Sequence, residues 1–418
     1  MAQTLKFGNG NFATKAGSTL CYDDQNGNFK PIPMDFSRNS IGTRVNKQGL
    51  IEVMQADIPR IDYTDTDKGV ALLEPQRTNI ALESNQFNES EWSKTNTSVS
   101  ANETGVGGST DAWLLSKSSS DGLIRQFITT TGANTFSVYV KKGSLSYVRL
   151  FIASSTESSS IYVNLNNGST GTSTGSPTVK VVTMDNSWYR CIITKDTTNI
   201  NNFRIYPANA DNDTSGTTGN IYIQNAQVEV GSYETSYIPT SGSTVQRAAD
   251  VANNAGNSEV FSDSSGVLFA NISALTSSQV STIMISLSNG SSSAIRFGYQ
   301  QGTNLFFVES IGTANSIGIY SEPINSLMYS KISLSYKEND VKLYINGFLV
   351  ATDTVFTPFT SNILNNFNFD NGSGASDFYG KTKELSYYDA ILTDAELEKL
   401  TSYNSLSELV TELNLNTL

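Results

Sequence analysis

The chain of 418 residues contains no histidine, so its chemistry must come from carboxylates, amides and aromatic rings. The commonest general base and the commonest zinc ligand are both missing, and a Ser-His-Asp triad is excluded. Catalysis on a β-sandwich can also run on a strand of the form Glu-x-Asp-x-x-Glu, where alternation plus one bulged residue turns three carboxylates into one cleft. Glu338, Asn339 and Asp340 begin such a string, but Leu343 holds its last place and the string starts at a polar turn. The sequence therefore predicts a protein that is not an enzyme. Binding a sugar asks for less: an exposed aromatic face to stack on the ring, with amides or carboxylates for the hydroxyls. Trp92, Trp113, Tyr147 and Tyr162 are the candidates for glycan binding, against the alternative that a tryptophan belongs to the core. Asp211 and Asp213, in the run Asp-Asn-Asp-Thr-Ser-Gly, are calcium candidates because calcium takes carboxylate and carbonyl oxygens. The run lacks the full EF-hand pattern and also reads as an Asx-rich turn. No other cofactor is expected.

Composition narrows the partners. Lys and Arg number 27 against 39 Asp and Glu, a formal charge of −12, which argues against nucleic acid, whose binding needs clustered Lys and Arg. No run of 18 apolar residues occurs and the first residues lack an apolar core, so neither membrane insertion nor a signal peptide is expected. Cys21 and Cys191 fall in different expected units. They read as two buried thiols of a protein assembled in a reducing cytoplasm, with a disulfide as the alternative.

The elements that must position these residues are strands. Few charges (16%), aromatic residues at 10% and 31 glycines favour many short strands joined by polar turns. Residues 1–80 are dense in turn signals, with short strand candidates at 18–22, 50–53 and 70–73. None can build a sheet alone, so the segment reads as an anchoring arm laid on another surface or as a cap on its own following domain. Strand patterns recur at 113–116, 122–128, 134–141, 146–152, 160–165, 178–184, 188–194, 202–207 and 220–230, which suits a two-sheet jelly roll. Residues 233–258, with Gly231 before them and Pro239 and Gly242 inside, read as an extended connector. A second set follows at 266–272, 281–288, 293–299, 305–310, 316–321, 329–337, 341–350 and 384–392. Thr393 and Glu396 form a capping box for a helix, and Leu406, Leu409, Val410 and Leu413 have amphipathic spacing, either packing back or forming a seam between subunits.

Two resemblances attach to particular residues. Pro59-Arg60-Ile61-Asp62-Tyr63, Leu72-Leu73-Glu74-Pro75-Gln76-Arg77-Thr78-Asn79 and the run from Ala226 through Tyr233 and Pro239 to Arg247-Ala248-Ala249-Asp250-Val251 resemble segments of tailed-bacteriophage virion proteins. In those proteins the segments accompany a carbohydrate-binding-module-like jelly roll in head decorations, head fibres and tail fibres. Residues 260–403, through the strands around Asn346-Gly347 and the capped helix, resemble a concanavalin A-like, laminin-G-type sandwich. Together they imply an all-β chain: an N-terminal extended anchoring region (1–80), an antiparallel jelly roll (81–232), a connector (233–258), a concanavalin A-like sandwich (259–403) and a C-terminal amphipathic helix (404–418). The implied role is a virion surface decoration or head-fibre subunit, assembled in the host cytoplasm, with other virion proteins as partners, a homo-oligomer with a trimer favoured, and a host glycan as ligand. A tail fibre recognising host glycans is the alternative, and a polysaccharide depolymerase stands behind it.

Overall fold

The computed structural model describes residues 3–277, 281–291, 293–360 and 362–412. Strand accounts for 53% of the chain and helix for 6%, as the turn-rich, β-branched composition requires. The chain divides into two compact units, each with its own core. The first comprises Met1–Asn39, Gln55–Pro75 and Ala249–Leu418, and the second Ser40–Met54 and Gln76–Ala248.

In the second unit a 12-stranded antiparallel sheet closes over one core. Two long strands, Leu123–Lys142 and Trp188–Ala208, run side by side along their lengths. Their register slips between Phe127 and Thr130 and again between Thr130 and Gly132. Such bulges bend a strand and raise its twist, so each long strand serves both layers of the jelly roll. Phe136 from one half and Phe203 from the other meet inside with ring centroids 5.5 Å apart. Alternation decides the rest. Ile124, Val148, Leu150, Ile161 and Ile205 point inward, so Arg125, Arg149, Tyr162 and Arg204, one residue along, point outward.

The first unit is a sandwich of a 12-stranded and a five-stranded sheet, both antiparallel. The larger runs, in order, Val251–Asn253, Lys30–Ser37, Ser18–Asp23, Gln3–Gly8, Gly380–Tyr388, Ser265–Ala274, Ser330–Lys337, Asp340–Ile345 and Phe348–Asp353, with three short strands off this path. The smaller runs Gly318–Pro323, Leu305–Ile311, Ala294–Tyr299, Ile283–Ser288 and Asn366–Asn368. The Asn346-Gly347 turn forms, splitting the expected strand 341–350 in two. The helix Asp394–Thr401 starts at the expected capping box, Thr393 accepting from the Glu396 amide and Glu396 from the Thr393 amide. The helix Leu406–Glu412 buries no side chain; Lys331 holds Glu408 and Lys383 holds Glu412, each at 2.6 Å. The helix is thus held back on its own unit, as one of the two expected arrangements has it, but by ion pairs rather than by its apolar stripe, and Leu413 lies outside the described residues.

The division expected at residues 80, 232 and 258 differs from these units. Gln3–Gly8, expected as part of an anchoring arm, is an inner strand of the first unit, pairing with Gly380–Tyr388 on one side and Ser18–Asp23 on the other. The hairpin Gly42–Val45 and Ile51–Met54 belongs to the second unit. Residues 233–258 are no extended connector. Val245–Arg247 pairs with Arg77–Asn79 in the second unit, and Val251–Asn253 with Lys30–Ser37 in the first. Local turn content hid this because the partners are remote in sequence, and short strands gain stability only from such partners.

Candidate functional site: an arginine and aromatic face

Three neighbouring strands of the second unit carry the same three-residue pattern, Arg-x-aromatic: Arg125-Gln126-Phe127, Arg149-Leu150-Phe151 and Arg204-Ile205-Tyr206. Period-2 geometry places the arginine and the ring of each pattern on one side of the sheet, here the outward side. Register brings the three patterns together. Arg204 lies opposite Arg125 on one neighbour and opposite Phe151 on the other, while Arg149 lies opposite Tyr206 and Tyr162. The guanidinium carbons sit over rings: Arg125 at 4.7 Å from the Phe127 centroid, Arg149 at 4.9 Å from Phe151 and 5.4 Å from both Tyr162 and Tyr206, and Arg204 at 4.9 Å from Phe151. Cation–π attraction at such distances holds each planar group in place. Phe127 is 61% exposed, so its ring offers an open stacking surface.

Hydrogen bonds fix the rest of the face. Arg204 donates from Nε to Asn202 at 2.5 Å and from Nη1 to the Tyr206 hydroxyl at 3.1 Å, and Arg149 donates to the Ser160 hydroxyl at 3.2 Å. The Nε atoms of Arg125 and Arg149 are shielded from solvent and have no partner among the described residues. One border of the face is the loop after Trp188–Ala208. There Thr214 donates to Asp121 at 2.5 Å and accepts from Lys117 at 2.8 Å. Burial pushes the Tyr162 hydroxyl above its ordinary range, with Arg149 and Thr214 pulling partly back.

The glycan candidates separate into two pairs. Tyr147 and Tyr162 are on this outward face: Tyr147 is half-buried, its hydroxyl accepting from Asn164 at 3.1 Å, and Tyr162 is 4% exposed. Trp92 is core. It is 2% exposed, its ring lies 4.9 Å from Phe87, and its indole N–H donates to the Glu83 carbonyl at 2.6 Å, so no face remains for a sugar. Trp113 is half-buried against the same core, 6.4 Å from Phe87. The arginines were missed because charges were counted rather than placed; the threefold Arg-x-aromatic pattern was the signal available.

The calcium candidates serve local structure. Asp211 accepts from the Thr172 amide at 2.7 Å and its hydroxyl at 2.9 Å, and Asp213 accepts from the Ser215 amide at 2.8 Å in an Asx turn. Among the described residues no group of three or more Cys, Asp or Glu side chains is gathered to hold a metal ion. The string at Glu338 sits in the turn between Ser330–Lys337 and Asp340–Ile345. Asp340 there pairs with Lys337 at 3.0 Å, and Leu343 is fully buried. A cleft of about 450 Å³, lined by Glu103, Lys141, Lys142, Asn220 and Tyr222 among others, opens elsewhere on the second unit. Two of its residues hold each other: the Asn220 side chain accepts from the Ser144 amide and the Ser144 hydroxyl from the Asn220 amide.

The first unit uses arginine differently. Arg38 and Arg60 have fully buried side chains that converge on the equally buried Asp250, with Arg38 at 3.1 Å, and Arg60 also meets Glu74 at 2.6 Å. Arg38 donates further to the carbonyls of Ile58 at 3.1 Å and Gln55 at 2.7 Å. Burial pulls the Arg60 guanidinium down, but Asp250 and Glu74 outweigh it and the group ends above its ordinary value.

Residues 262–398 match the family model described as the Concanavalin A-like lectin/glucanases superfamily, of the laminin-G type, so this part of the chain is a concanavalin A-like domain. No curated protein matches the chain. Among solved structures, the CBM40 of the Ruminococcus gnavus IT-sialidase, bound to α2,3-sialyllactose, is 16% identical, covering 36% of this chain and 94% of its own, with a TM-score of 0.31. Domain 4 of a GH43 extracellular arabinanase from Geobacillus stearothermophilus, in complex with arabinotriose, is 17% identical over 37% of this chain and 73% of its own, TM-score 0.31. Domains LG4-5 of the mouse laminin α1 chain are 10% identical over 74% of this chain and 97% of their own, TM-score 0.26. Likenesses at this level say nothing about a ligand.

Proposed function

We propose that the chain is a non-catalytic, saccharide-binding structural protein displayed on the surface of a tailed-bacteriophage virion, as a decoration or head-fibre subunit. The observation that carries the binding part is the outward face of Arg125, Phe127, Arg149, Phe151, Arg204 and Tyr206, where open aromatic surface stands beside fixed hydrogen-bond donors. Aromatic stacking plus a few placed polar groups is what sugar recognition needs. The virion part is supported by the resemblance of residues 59–63, 72–79 and 226–251. On this reading the partners are other virion proteins, assembly takes place in the host cytoplasm, and copies associate as a trimer, whose repeated weak contacts would multiply a modest affinity. The test is immunogold labelling of intact particles combined with a saccharide-binding screen of the purified chain. Label over the capsid and retention of at least one glycan support the reading. Label confined to the tail would make it a tail fibre, and steady release of reducing ends would make it a depolymerase. Light scattering at the monomer mass of 45.2 kDa would remove the trimer.

A further inference from the structure

We infer that the saccharide taken by the arginine and aromatic face carries carboxylate groups; the inference rests on the reading of that face as a saccharide site. Arg125 and Arg204 lie directly opposite one another on neighbouring strands. Like charges in that relation repel and are destabilising unless an acid stands nearby to answer them. Here the relief is missing. Among the described residues none of Arg125, Arg149 and Arg204 pairs with a carboxylate, in a chain whose acidic residues outnumber its basic ones 39 to 27. Where acids are in excess, an unneutralised cluster marks a place for an anion that the chain itself does not supply.

The ring contacts explain how the cluster is kept ready. Each guanidinium rests over a ring of its own or a neighbouring strand, which replaces part of its hydration without neutralising its charge. Planar guanidinium donors match planar carboxylate oxygens bidentately, a fit that hydroxyl groups do not offer. The surroundings limit the anion's size. Asp121 and Asp211 both act electrostatically on Tyr162 at the edge of the face, and the whole chain carries −12. A long, densely charged polymer such as nucleic acid meets repulsion beyond the arginines. A sugar acid, with one carboxylate per ring and an apolar ring face for the exposed Phe127, is far less densely charged and meets less.

The experiment titrates the full chain with polygalacturonate, with the same polymer after carboxyl reduction to its neutral form, with dextran sulfate and with single-stranded DNA. The polyuronate is expected to bind at least ~10-fold tighter than its reduced form, the factor expected for one charge-assisted hydrogen bond. Arg125→Gln is expected to lose about that factor for the polyuronate and distinctly less for the neutral polymer, which loses a donor but no charge partner. Its melting temperature should stay unchanged, because Arg125 makes no ion pair and faces a like charge. Phe127→Ala should weaken both polymers alike. Equal affinity for both polymers, or an Arg125→Gln variant that binds the polyuronate as the parent does, overturns the inference and leaves the saccharide site standing. Tighter binding to DNA or dextran sulfate overturns it in favour of a general anion site. Failure of every saccharide in the screen, neutral and acidic, overturns the site itself.

Discussion

Arginine is used in two opposite ways at two places, one in each unit. In the first, Arg38 and Arg60 are wholly buried, and Asp250 and Glu74 answer their charges. In the second, Arg125, Arg149 and Arg204 face outward over aromatic rings, and no carboxylate among the described residues answers them. The difference separates answered charges from unanswered ones by partner rather than by residue type. A buried pair has been desolvated already, and its partners satisfy it, so a ligand has nothing to add. A stacked, outward guanidinium keeps its charge available.

The comparison breaks most visibly at Asp250. Asp250→Ala leaves Arg38 without its carboxylate and Arg60 with Glu74 alone, and should destabilise the first unit by roughly 3–5 kcal/mol, read from urea denaturation. A loss below about 1 kcal/mol, the range of exposed pairs, would show that water already reaches the cluster. On the other side, Phe127→Ala should change stability by no more than about 0.5 kcal/mol, as exposed positions do. It should nonetheless lower saccharide affinity measurably by titration calorimetry. Trp92→Ala should do the reverse, costing about 3–5 kcal/mol as a core aromatic does. Raising salt to about 0.5 M should weaken acidic-sugar binding at the outward arginines while leaving the buried cluster's contribution to unfolding nearly unchanged, since screening acts on exposed charges. Equal sensitivity of the two would erase the distinction.

Cysteine supplies the mildest probe, one thiol per unit. Cys21 lies in the core of the first unit and Cys191 in that of the second, both without a disulfide. Burial pushes both thiols up, Cys191 to about 12, so at pH 8 neither is a thiolate. A thiol reagent should react with neither in the native chain and with both in denaturant. In the Asp250→Ala variant Cys21 should react before Cys191; simultaneous reaction would mean that the two units open together.

Much of the architecture was legible because alternation and turn chemistry are local. The 220–230 strand, the Asn346-Gly347 turn and the Thr393 capping box appear within a residue or two of their expected places. Two kinds of information were not local. The strands 122–128 and 134–141 are one bent strand, because a bulge at residues 127–132 lets pairing continue where the pattern breaks. The N-terminal strand Gln3–Gly8 finds one of its partners more than 350 residues away, which no turn signal announces. At the site, the outward side of Tyr147 and Tyr162 was readable from their strand positions, but the burial of Tyr162 was not. Trp92 was not, since only the Glu83 carbonyl and the Phe87 ring reveal that it is already satisfied.

The pairing of Gln3–Gly8 with Gly380–Tyr388 also sets a timetable. A ribosome adding about 5–20 residues per second makes the first of these strands at once and the second only after roughly 20–80 s. The second unit, whose last residue is Ala248, can fold well before that. Through the interval the N-terminal strands wait with open edges, a state in which strands of neighbouring nascent chains can pair wrongly. Slower elongation lengthens that exposure, so recovery of soluble protein should depend on how quickly the message is read beyond residue 248.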